Sequence, residues 1–157
     1  MPALRQGYLK GVLRMGRKDV DLESVEREKV LIRSLSQGRA YDHPVEDVRV
    51  LDTHISWVVL TGKFAYKIKK PIKLAFLDYS TLEKRKRYCE LELELNSRWA
   101  PDIYLDVVPI CGSFREPLVG RGGEPIEYAL KMNEFPQSAQ LDAQLAAGLL
   151  TNADMLE

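Results

Sequence analysis

Ile55-Ser56-Trp57-Val58-Val59-Leu60-Thr61-Gly62-Lys63-Phe64-Ala65-Tyr66-Lys67-Ile68-Lys69-Lys70 is the stretch on which the fold turns. Ile55 to Leu60 is a continuous β-branched and aromatic run, the composition of a strand buried on both faces. Thr61-Gly62-Lys63 has the chemistry of a short hairpin turn. Phe64 to Lys70 then alternates until Pro71 ends it, which puts Ala65, Lys67 and Lys69 on one face and Tyr66, Ile68 and Lys70 on the other. Upstream, Val45 to Leu51 alternates as Val45, Val48 and Val50 with polar residues between. Three strands in succession predict an antiparallel meander.

Working outward, a helix follows the meander. Ser80 with Glu83 three residues later has the form of a capping box, and Ala100-Pro101 breaks the helix after Trp99. Tyr88, Leu91, Leu95 and Trp99 make one apolar stripe, with Cys89 and Leu93 beside it. Lys86 with Glu90, and Glu94 with Arg98, place opposite charges four apart on the wet side. Two more strands are expected, Ile103 to Ile110 and Pro125 to Met132. The Gly- and Pro-rich stretch 112–124 between them reads as a loop with room for a short strand at Pro117-Leu118-Val119.

Before the meander, Asp21 to about Ser36 fits a helix loosely, and Gly38 stops it. Tyr41-Asp42-His43-Pro44 is turn chemistry, with His43 expected at the surface. Residues 1–20 carry Arg5, Lys10, Arg14, Arg17 and Lys18 and no acid before Asp19. They read as a flexible basic extension in preference to an organelle transit peptide. After the connector Asn133-Glu134-Phe135-Pro136, Leu141 to Leu150 begins an alanine-rich helix. The expected segments are thus 1–20, 21–136 and 137–157. The fold class is α+β: a leading helix, then a five-stranded antiparallel sheet with one long helix inserted after the third strand. That is the plan of a protein-kinase-like small lobe.

Composition narrows the function classes. The chain has 157 residues, 45% of them hydrophobic, and 23 basic side chains balance 23 acidic ones. A balanced charge argues against a nucleic-acid partner or a polybasic membrane binder, and no apolar run reaches the roughly 18 residues of a membrane span. Cys89 and Cys111 form no CxxC pair and are too few for a zinc cage, which suits a reduced, cytoplasmic setting.

The third strand supplies the first candidate residues. A small residue two before a lysine, in a strand after a hairpin, matches the kinase Val-Ala-Ile-Lys pattern. Ala65 leaves room for a flat adenine and Lys67 reaches the phosphates of the same nucleotide; Lys69, on the same face, is the runner-up. A solvated edge strand rich in lysine would give the same spacing. Glu92 is the helix acid expected to face the sheet, where it needs a cation because a buried unpaired carboxylate costs several kcal/mol. At the stripe's margin it would reach water instead. The turn Asp52-Thr53-His54-Ile55-Ser56 stands where kinases carry a phosphate cover, and its hydroxyls and N–H groups suit an anion. It holds no GxGxxG. The run Lys84-Arg85-Lys86-Arg87 reads as a solvated helix face. No Walker-type loop, His-Gly-Asp or DFG-like motif, GxSxG or HExxH occurs.

Several stretches together resemble a bacterial family. They are Tyr41-Asp42-His43-Pro44-Val45-Glu46, Thr53-His54-Ile55-Ser56-Trp57-Val58, Ala65-Tyr66-Lys67-Ile68-Lys69-Lys70-Pro71, Phe76-Leu77-Asp78-Tyr79-Ser80-Thr81-Leu82-Glu83, Cys89-Glu90, Leu95-Asn96 and Ala100 through Pro109. Across about residues 28–150 the chain is similar to the aminoglycoside-phosphotransferase-like family, whose members are often fused to a P-loop ATP-binding domain. The resemblance implies a kinase-like fold, ATP with Mg2+, and phosphoryl transfer to a small hydroxylated molecule. It implies that Lys67 is the phosphate-binding lysine and Glu92 its helix partner. Thr53, Ser56, Ala65 and Lys69 would lie around the nucleotide, and Asn133 to Phe135, with Met132 beside them, would form the hinge whose backbone meets adenine. The family's large lobe, with its catalytic Asp and metal ligands, lies beyond what these residues match. A small lobe by itself is therefore expected to be inactive. The alternative from another class is a non-catalytic anion- or nucleotide-binding regulatory module.

Overall fold

The computed structural model of the chain describes residues 22–45 and 47–135. The basic extension expected over 1–20 and the alanine-rich helix expected from Leu141 lie outside the described residues. Helix α1 (Leu22–Leu35) leads into the meander β1 (Arg49–Asp52), β2 (Ser56–Leu60) and β3 (Phe64–Lys69). A hairpin of two-residue strands, β4 (Lys73–Leu74) and β5 (Leu77–Asp78), connects β3 to helix α2 (Leu82–Asn96). Then come β6 (Tyr104–Gly112), β7 (Pro117–Val119) and β8 (Glu127–Asn133).

The class is α+β, as expected, with every strand pairing antiparallel. The main sheet has six strands in the order β1-β2-β3-β8-β6-β7 instead of five, because Pro117–Val119 pairs with the end of β6. The β4–β5 hairpin was likewise outside the expected count. β3 sits between β2 and β8. Its lysines therefore do not decorate an edge, and the edge-strand alternative falls.

Period-two alternation gives the sheet two different faces. On one, Tyr66 and Ile68 of β3 join Trp57, Val59, Ile110 and Ala129 in a core closed by Leu31, Ile32 and Leu35 of α1. Each Leu, Ile or Val among them, where fully buried, contributes about 1.5–3 kcal/mol. The helical spacing 28, 31, 32, 35 makes one face of α1, so Glu28 is carried into the core with the leucines and is 2% exposed. His43 is half-buried and not purely a surface residue: its Nε2 lies 3.0 Å from the Tyr66 hydroxyl and its ring packs edge-on against Phe64.

The other face carries α2, whose start lies one residue later than the capping-box reading. Thr81 is the N-cap, accepting from the Lys84 N–H, while Ser80 is drawn back to Asp78, to which its N–H and hydroxyl both donate. The helix also presents a different side than its hydropathy suggests. Arg85 and Cys89 are buried, whereas Leu95 and Trp99 are 56% and 89% exposed. The basic run is thus broken by Arg85, which turns inward to Glu127.

The β6–β7 turn depends on one glycine. Gly112 has φ +83, and a Cβ there would lie 2.5 Å from the Glu116 carbonyl oxygen. Gly112→Ala is expected to destabilise the fold by about 1–3 kcal/mol, since strained backbone and a backbone clash add. A thermal melt matching wild type would show that the turn relaxes freely.

Candidate functional site

β3 is held in register by both neighbours, and its helix-side residues set the site. Lys67 stands opposite Val58 on β2 and Leu130 on β8, and Ala65 stands opposite Leu60 and Met132. Lys67 Nζ lies 2.6 Å from Glu92 Oε1, and Lys69 Nζ lies 2.7 Å from Glu92 Oε2. One carboxylate thus bridges two ammonium groups, which leaves the trio with a net single positive charge. The two lysines are not equivalent. Lys67 is 29% exposed and Lys69 only 4%, with its ammonium 5.0 Å from the Tyr79 ring centre.

Burial alone would raise the Glu92 pKa, but hydrogen bonds and charge from the two lysines outweigh it and hold the carboxyl below the usual range. Burial likewise works against a charged Lys69, and Glu92 more than offsets it, so that ammonium is held above its ordinary value. Cys89 is fully buried on the same helix face, and burial pushes its thiol up to about 12. It is a packing residue here, with no thiolate to offer.

Beside the trio opens a cleft of about 700 Å³. Thr53 and Ser56 reach it from the β1–β2 turn, Ala65 and Lys67 from β3, and Met132, Asn133 and Phe135 from the end of β8. Seven of the nine residues singled out in the sequence therefore line one cavity; Glu92 and Lys69 lie behind Lys67 and do not. Trp99, three residues beyond α2, forms part of the wall. The apolar stripe of α2 does not extend to it: Trp99, just before Ala100-Pro101, stands past the helix and is 89% exposed.

Two features limit how a ligand could use these groups. Thr53 and Ser56 spend their polar atoms on each other. The Thr53 hydroxyl donates to the Ser56 carbonyl (2.8 Å) and accepts from the Ser56 N–H (3.1 Å), which closes the turn. At the β8 exit, the Asn133 N–H donates to the Ile103 carbonyl and the Glu134 N–H to the Lys63 carbonyl. The Glu134 carboxylate, not anticipated from sequence, accepts from the Gly62 N–H and from Arg49, pinning the hairpin between β2 and β3 to this exit. Chemically, the site offers a largely apolar wall beside one partly exposed ammonium, that of Lys67.

Among the described residues no helix is long and apolar enough to cross a membrane. Uncharacterised proteins of Mycobacterium bovis and Mycobacterium tuberculosis are 41% identical to this chain over 120 residues, which cover 73% of it and 22% of each relative. The chain therefore spans about a fifth of the length of the curated relatives it matches. No family model matches the chain, and no solved structure matches it.

Proposed function

We propose that the chain is the ATP-binding small lobe of an aminoglycoside-phosphotransferase-like small-molecule kinase, whose whole protein moves phosphate from Mg-ATP to a hydroxyl. The observation that carries this reading is the 2.6 Å pair between Lys67 and Glu92 at the base of the cleft, with Ala65 two residues before the lysine on the cleft wall. Kinase chemistry needs that arrangement, because a lysine steadied by a helix glutamate holds the nucleotide's phosphates. The order β1-β2-β3-β8-β6, with α2 entering after β3, supports it as the five-strand plan of a kinase-like lobe with β7 added outside. The mycobacterial relatives, several times longer, are in keeping with a lobe that belongs to a larger protein.

The cleft residues suit ATP in part. Leu60, Ala65 and Met132 give apolar contact for a base and Lys67 a contact for phosphate. The hinge N–H groups of Asn133 and Glu134 are engaged within the protein, so an adenine would draw its backbone contacts from their neighbours. Among the described residues no three His, Cys, Asp or Glu side chains converge as a metal cage, and magnesium is assigned no ligand here.

Calorimetric titration of the full chain with Mg-ATP tests the reading. Wild type should bind, and Lys67→Ala should weaken binding at least about tenfold, or 1.4 kcal/mol; equal affinity in the variant would remove Lys67 from the site. A second reading, a non-catalytic anion- or nucleotide-binding regulatory module, is favoured by the excess positive charge of the trio. It requires that inorganic tripolyphosphate compete as well as ATP and that both weaken together as salt rises.

A further inference from the structure

We propose that Lys70 is a positioning residue, a clasp that holds the β1–β2 turn at a fixed height over the phosphate end of the cleft. This rests on the cleft being a nucleotide site. The strand register sets the direction in which a nucleotide would lie. The apolar end of the cleft is at the pairing of Leu60, Ala65 and Met132. Lys67 comes further along β3, opposite Val58, and Ser56, opposite Lys69, ends the turn. A run of phosphates that leaves the apolar end and passes Lys67 therefore finishes under residues 53–56.

Residue 70 holds that turn at three points. Its N–H donates to the Ile55 carbonyl (2.9 Å), and its ammonium donates to the Asp52 carboxylate and to the Thr53 carbonyl. The period of two sends Lys70 to the face of the sheet away from Lys67. There its side chain is largely covered and its ammonium lies 5.0 Å from the Trp57 ring centre. Lys70 thus grips the turn from behind without lining the cleft, and the Lys67–Glu92 pair on the other face stays formed. The turn holds no GxGxxG, and the Thr53 and Ser56 hydroxyls are used within it. What it brings to phosphate is a fixed wall, with Ile55 part of it. Such a wall keeps water from the Lys67 ammonium, and attraction between that ammonium and an anion strengthens as water is excluded. A wall already in place needs no ordering when the ligand arrives.

The full chain carrying Lys70→Met or Asp52→Ala, titrated with Mg-ATP and with AMP beside wild type, tests the clasp. The two substitutions change the charge near the phosphates in opposite directions. If charge alone mattered, losing Lys70 would weaken Mg-ATP and losing Asp52 would tighten it. The clasp requires both to weaken it: Lys70→Met about tenfold, and Asp52→Ala about threefold, because Asp52 is 68% exposed and contributes as a surface pair. AMP, whose one phosphate reaches no further than Lys67, should bind each variant within about twofold of wild type. A merely structural lysine would weaken the two nucleotides alike. Thermal melts establish that each variant is folded, and Asp52→Ala, at an exposed side chain, decides the matter by itself if Lys70→Met does not fold. Three results overturn the clasp while leaving the site standing: wild-type Mg-ATP affinity in folded Lys70→Met, affinity in Asp52→Ala equal to wild type or tighter, or AMP weakened in step with Mg-ATP. No binding of Mg-ATP by wild type overturns the site and the clasp together.

Discussion

Arg85→Met is expected to lose about 3–5 kcal/mol of folding stability, the cost of leaving a buried carboxylate without its cation. Arg85 is 5% exposed and meets Glu127 of β8, which is wholly buried. Its Nε lies 3.0 and 2.9 Å from the two carboxylate oxygens, its Nη2 2.7 Å from one of them, and its Nη1 donates to the Tyr79 carbonyl. Glu28 of α1 stands 3.9 Å from the same guanidinium. Three elements, α1, α2 and β8, are thus tied at one point. With domain stabilities of about 5–15 kcal/mol, a loss of this size threatens folding at ordinary temperature. Arg85→Lys should also be costly, because an ammonium cannot reproduce the fork. The second change that isolates the cause is Glu127→Leu in the Arg85→Met background, which should recover most of the loss by removing the orphaned charge. Urea unfolding measures all of these, and a loss below about 1 kcal/mol for Arg85→Met would contradict the assignment of this pair as a structural tie.

Local chemistry made the meander legible. The unbroken run before Gly62 became β2, buried along most of its length, and the alternation after it became β3 with its faces assigned as the period requires. Helix α2 shows where hydropathy fails. Its sheet-facing residues are Arg85, Cys89 and Glu92, spaced four and three apart, and two of these are charged. Periodicity assigns the inward side to leucines, so Leu91 and Leu95 drew the face away from its true direction. Glu92 is nonetheless the helix acid that faces the sheet, as expected of it. It sits at the margin of the apolar stripe on the side toward the sheet, where its charge meets two lysines in place of water.

What could not be read depends on long-range pairing. Nothing near Arg85 in sequence distinguishes it from Lys84, Lys86 and Arg87; its burial is decided by Glu127, 42 residues away. Glu28 likewise reads as a surface acid until α1 is laid on the sheet. The capping shift from Ser80 to Thr81 was decided by Asp78, a competitor two residues upstream that captures the serine. The cleft was more accessible, because the β1–β2 turn and the lysine strand lie close together in sequence, and only its far wall, the β8 exit, is brought in by strand pairing.

Glu28 gives the second large effect, and its sign is set by burial. Burial first, and the neighbouring Glu127 second, push its pKa from an ordinary 4.5 up to about 9, against the lowering influence of Arg85. The folded protein therefore keeps a proton on Glu28 through a range where the unfolded chain has lost it. Stability from this carboxyl is complete below its ordinary value and is lost as pH rises toward 9, with a slope of at most about 1.4 kcal/mol per pH unit. Other shifted groups leave that window clear. Glu92, Asp78 and Glu83 are held below the carboxylate range, so their contributions are already complete above about pH 5. Cys89 and Tyr66, both pushed up to about 12, begin to act only at and above their ordinary values of 9.0 and 10.0. Wild type should thus lose several kcal/mol between about pH 5 and 9. Glu28→Gln should flatten the curve, because the amide keeps a donor for the Glu127 carboxylate and has no proton to lose. Urea unfolding at four or five pH values measures both slopes. Equal slopes in the two proteins would place Glu28 among the ordinary ionised carboxylates and would require Arg85 to balance two charges instead of one.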